Sequence, residues 1–161
     1  MQQMSIRTQS RLLLLVASIA IPTVHARPPV EFCRALRDFV ESVQPDEKRS
    51  FMFRTSWGSN FKDDQKPALY AMRCEHDGYD PAKAVCRYLA KYGSIEFTWI
   101  DVKDAISCLS RKTRFEPLLR INSGDFSFTY GSDHRGALID IQFNEDPHIG
   151  GMVFKLTADG Y

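Results

Sequence analysis

Cys33, Cys74, Cys86 and Cys108 carry the most decisive chemistry in this chain. They are an even set with neither C-x-x-C nor H-x-x-x-H spacing nearby, which in an oxidising compartment reads as two disulfides and not as metal ligation. A free cysteine nucleophile is disfavoured there, because exposed thiolates are oxidised. The histidines are the next candidates, as general bases or ligands. His76 stands in Cys74-Glu75-His76-Asp77-Gly78-Tyr79-Asp80, where Glu75, Asp77 and Asp80 could join it around a cation. Neither the spacing nor the donor count matches an established metal geometry, so the segment reads as a solvated connection ahead of a helix.

His134 lies in Ser132-Asp133-His134-Arg135 at the tip of an expected hairpin. Asp133 could serve as an orienting carboxylate for a general base. Neighbours on an extended chain point to opposite sides, however, so Asp133, His134 and Arg135 read first as an exposed turn. His148 occupies Asn144-Glu145-Asp146-Pro147-His148-Ile149-Gly150-Gly151, a connection longer than a hairpin requires. Long loops on rigid sheets concentrate binding residues, which makes Glu145, Asp146 and His148 the favoured functional surface. The paired glycines are not a phosphate cradle, since no helix start follows them and the Lys-Ser/Thr ending is absent.

Asp63-Asp64, Glu145-Asp146 and Asp101 with Asp104 could supply the paired carboxylates of a glycosidase. Two of these pairs fall in hydrophilic loops and the third on the expected polar side of a helix, so solvation accounts for all three. The G-x-S-x-G hydrolase motif is absent. Trp57 and Trp99 fit apolar faces and read as packing residues. No motif implies a cofactor.

The elements that position these residues begin after residue 26. Arg7 and Arg11, the apolar run Leu12–Ile21, Pro22 and the small-residue pattern Val24-His25-Ala26 have the order of a cleavable signal peptide. The apolar run is too short to span a bilayer. Cleavage after Ala26 would leave 135 residues, 27–161, as one domain, and lower the formal net charge from +1 to −1. A neutral chain has no electrostatic bias toward nucleic acid or an anionic membrane. Nor does any later segment read as transmembrane. No Asn-x-Ser/Thr sequon occurs, which suits a bacterial exported protein, periplasmic or secreted.

Within 27–161, Phe32, Leu36, Phe39, Val40 and Val43 recur at helical spacing up to Pro45. Phe51, Phe53, Thr55 and Trp57 alternate as a strand, and Ala68–Cys74 is either a strand or a short helix. Asp80-Pro81 reads as a helix start with Asp80 as cap, and Gly93-Ser94 as the stop of that helix and the start of the next. So short a connection predicts an antiparallel helical hairpin. It would bring Cys108 beside Cys74 and leave Cys33 for Cys86, the preferred of the three possible pairings. From Leu119 onward, alternating runs separated by turns at 122–125, 131–136 and 144–151 predict an antiparallel β-meander. The expected fold is α+β: an N-terminal helix and a disulfide-tied helical hairpin packed on a C-terminal meander.

Small size, disulfide rigidity, near-neutral charge and the lack of a convergent catalytic set favour a non-catalytic exported binder. Its expected partner is another protein of the envelope or extracellular space, engaged in the manner of an inhibitor or immunity protein. The alternatives are a small hydrolase of cell-wall or extracellular polymer, with His134 or His148 as base and Asp140 as acidic partner, and a structural envelope component.

Overall fold

The computed structural model describes residues 28–161; the expected signal segment, 1–26, lies outside the described residues. Segments with period-3.6 apolar spacing form α1 (Val30–Ser42), α2 (Asp80–Tyr92) and α3 (Trp99–Leu109). Period-2 segments form β1 (Lys48–Trp57), β2 (Tyr70–Glu75), β3 (Gly124–Ser132), β4 (Arg135–Glu145) and β5 (Met152–Gly160). All five strands join one antiparallel sheet in the order β2-β1-β5-β4-β3. The architecture is therefore α+β. β3, β4 and β5 make the meander, and β5 occupies the centre because β1 pairs along its free side.

Alternation along the strands divides the sheet into two chemically different faces. Phe51, Phe53 and Thr55 of β1, Ile139, Ile141 and Phe143 of β4, and Phe154, Leu156 and Ala158 of β5 are buried on one face. The registers Phe53↔Phe154 and Ile141↔Leu156 place these side chains in continuous rows. Leu36 and Phe39 of α1, Val85 and Leu89 of α2, and Val102 and Ile106 of α3 complete one core cluster with them. Phe39 meets Phe51 edge-on at 5.7 Å between ring centroids, and Phe51 meets Phe154 at 5.5 Å. Such contacts favour a defined geometry beyond the area they bury. Met52, Arg54, Gln142, Lys155 and their in-register neighbours line the opposite face, which is polar and carries no helix.

The four cysteines form two disulfides, but the pairing differs from the expected one. Cys33 bonds Cys108 with Cα atoms 4.9 Å apart, and Cys74 bonds Cys86 at 5.5 Å. The reason lies in the helices. α2 and α3 are separated by residues 93–98, and α1 is the principal neighbour of both. Ser94 does not begin α3. Its hydroxyl accepts the Phe97 N–H at 3.0 Å, and its own N–H donates to Asp101 Oδ2 at 2.8 Å, so a closed turn replaces the tight hairpin. With α3 packed on α1, Cys108 reaches Cys33. β2 packs beside α2, which leaves Cys74 for Cys86.

Three smaller expectations also change. Asp80 is the first residue of α2 and not its cap; Tyr79 holds the cap position without a side-chain hydrogen bond. Leu119–Ile121 is not a strand, and Leu118 and Leu119 are exposed. Trp57 lies at the end of β1 beyond the helices, 53 % exposed and stacked on Tyr70 at 6.5 Å, so it is not a core residue. Trp99 is partly buried against the core, with the Lys103 ammonium 5.0 Å from its ring centroid.

Candidate functional site

The loop between β4 and β5 is held by its own acidic residue. Asp146 Oδ1 accepts the backbone N–H groups of His148 at 2.8 Å and Ile149 at 3.2 Å. Asp146 Oδ2 accepts from Arg54 Nη1 at 2.5 Å, and Arg54 Nε reaches on to Glu75 Oε1 at 3.1 Å. The Asp146 N–H donates to Gly151 O at 2.9 Å and the Gly150 N–H to Asp146 O at 2.8 Å, closing the loop on itself. These bonds stabilise the carboxylate form. The backbone donors of Ile149 and His148, followed by Arg54, hold Asp146 below the usual carboxylate range.

A second segment pins the loop from outside. Lys62 donates its backbone N–H to Ile149 O at 2.8 Å and its ammonium to Pro147 O at 2.9 Å. Gly151 comes so close to β1 that a Cβ there would lie 2.3 Å from Thr55 O, and its φ of +78° suits glycine. Glu145, Pro147 and His148 are left exposed on a constrained backbone. Beneath them a depression of about 350 Å³ opens onto the polar face over Met52, Arg54, Gln142 and Lys155. A neighbouring depression of about 250 Å³ shares Gln142 and Lys155 and extends toward Asp140 and Lys48.

Asp133 and His134 form the exposed two-residue turn between β3 and β4, while Arg135 begins β4 and donates to Val43 O at 3.3 Å. This turn and the 144–151 loop stand at opposite ends of β4, roughly 30 Å apart at the usual rise of a strand. They do not share a surface. His134 and His148 are separated with them, and Asp140 lies mid-strand on the polar face, bonded by the Ser127 hydroxyl at 2.6 Å. The histidine–carboxylate convergence that a hydrolase would need is not formed among these residues. Around His76 there is likewise no cluster of three or more potential ligands among the described residues.

The carboxylate pairs have structural occupations that the sequence does not show. Asp63 and Asp64 both accept from Arg73, the former at 2.6 and 2.9 Å, and Arg73 also lies over the Phe61 ring. Asp101 is buried at 6 % exposure, not solvated, and desolvation pushes its carboxyl up to about 7 despite the Ser94 N–H. Burial likewise pushes Asp104 up to about 6, against the lowering influence of Lys103.

Arg54 and Lys62 are the anchors that sequence reading misses. Each comes from a segment remote from the loop, and a cation on the polar side of a strand carries no local mark of its partner. Comparison of the chain with protein-family models, curated proteins and solved structures finds no match. The two disulfides fit an oxidising compartment, and no helix among the described residues is long and apolar enough to cross a membrane.

Proposed function

We propose that this chain is an exported, disulfide-stabilised binding protein that acts on another protein of the periplasm or extracellular space. It would work as an inhibitor or immunity-type partner, with the 144–151 loop inserted into the partner's cleft. The observation that carries this reading is the double restraint on the loop, by Asp146–Arg54 from within and by Lys62 from without. A loop already held in one conformation loses little entropy on docking, which is how a small interface reaches useful affinity. Glu145 and His148, exposed and with side chains that make none of the anchoring bonds, are then the contact residues. The N-terminal signal pattern and the disulfides support the compartment.

The test is affinity capture from an envelope fraction with purified, oxidised protein as bait, alongside the double variant Glu145→Ala/His148→Ala. A partner retained by the native protein and weakened at least about tenfold by the double variant is the expected result. Capture of nothing, or capture indifferent to the variant, would overturn the proposal.

A further inference from the structure

A cavity of about 810 Å³ lies at the other end of the sheet from the 144–151 loop. It opens between the ends of α1 and α3 and the β3–β4 hairpin. Its composition is divided. Val40, Val43 and Leu109 supply apolar floor, and Arg111, Lys112 and Arg135 stand around it. None of these three cations is paired with a carboxylate among the described residues. The one acid in the lining, Glu41, is already occupied, accepting the Tyr130 hydroxyl at 2.5 Å.

Arg37, one helical turn before Glu41, has its Nε buried without a hydrogen-bond partner. Arg37 lies outside the lining, so it adds positive charge near the site and no ligand contact. Tyr130 is pushed up to about 12, by burial first and then by its bond to Glu41, with Arg37 and Arg111 opposing. Its hydroxyl proton is committed to Glu41, so the cations of the lining supply the donors for a ligand.

We infer that this cavity binds an amphipathic organic anion, a carboxylate or sulfonate carried on an aliphatic or aromatic body. The head lies among Arg111, Lys112 and Arg135, and the body rests on Val40, Val43 and Leu109. The volume lies within the range of small-molecule sites, and guanidinium donors recognise planar oxyanions in two-point fashion. This inference is independent of the loop's role, because the two sites share no residue.

The experiment titrates full-length oxidised protein with 8-anilinonaphthalene-1-sulfonate, followed by fluorescence and by amide shifts in a ¹H–¹⁵N spectrum, with octanoate as competitor. The expected result is saturable one-to-one binding displaced by octanoate, with shifts centred on Thr129, Gly131 and Gly136. Arg111→Ala/Lys112→Ala, at two exposed positions, should weaken binding about tenfold or more with the circular dichroism spectrum unchanged. Trp57→Ala should leave it unaffected, which separates the cavity from the exposed Trp57–Tyr70 pair. Absence of saturable binding, shifts centred on Trp57 and Tyr70, or affinity indifferent to loss of both cations would each refute the inference.

Discussion

Replacing one disulfide at a time should destabilise the protein unequally, and the inequality follows from the pairing. Cys33–Cys108 spans 75 residues and Cys74–Cys86 spans 12. In the chain-entropy treatment, closing a loop of the longer length restricts the unfolded chain by ~4.5 kcal/mol and the shorter by ~2.8 kcal/mol. Cys33→Ala/Cys108→Ala should therefore cost about 1.5 kcal/mol more than Cys74→Ala/Cys86→Ala. The alternative pairing of Cys74 with Cys108 and Cys33 with Cys86 closes two loops of similar length. Its two losses would agree within ~0.5 kcal/mol. Burial differs at one position only, since Cys33, Cys86 and Cys108 are all in the core and Cys74 alone is partly buried. The assay is urea denaturation at neutral pH of the two double variants, with mass mapping of the bridge that remains. Equal losses, or a larger loss from the Cys74–Cys86 variant, would show that the long bridge is not the dominant restraint.

Asp101 binds its proton more tightly in the fold, at about 7, than at its ordinary value of 3.8. Its contribution to stability is therefore full below pH 4 and declines as pH rises toward 7. Asp101→Asn should match the native protein near pH 4 and exceed it by on the order of 3 kcal/mol at pH 8; parallel stability–pH curves would contradict the burial argument. Gly58 and Gly151 have φ of +82° and +78°, but a Cβ at Gly58 meets nothing within 4 Å while one at Gly151 strikes Thr55 O. Gly58→Ala should cost about 1 kcal/mol and Gly151→Ala about 3 kcal/mol in thermal or urea unfolding, the difference measuring steric conflict alone. Arg54→Gln, by removing the charge that holds Asp146 Oδ2, should speed hydrogen exchange at the His148 and Ile149 amides at least about fivefold while leaving core amides protected. Unchanged exchange at those amides would mean that Asp146 holds the loop without Arg54.

Short-range patterns carried much of the fold because they report one element at a time. The alternation of Phe51, Phe53 and Thr55, or of Ile139, Ile141 and Phe143, requires only that one face be buried, and that face is buried here. The spacing of Phe32, Leu36 and Phe39 likewise marks the buried side of α1. The same logic fails where burial depends on what lies opposite. Trp57 continues the apolar side of β1, yet no helix extends over it. Asp101 falls with Lys103 and Asp104 on what reads as the polar side of a helix, yet its carboxyl group is enclosed as it accepts the Ser94 N–H. The 144–151 loop was legible as a long, acidic, glycine-containing connection. Its anchors were not, because Arg54 and Lys62 reach it from segments about ninety residues away.

The sequence by itself determined the α+β class, the meander and the use of all four cysteines in bridges, since composition and periodicity are local properties. Tertiary structure alone decided which cysteines meet and where β1 enters the sheet. The cysteine pairing depends on α1 standing as the common neighbour of α2 and α3. That placement is set by complementary packing across long chain separations, which no window of sequence contains.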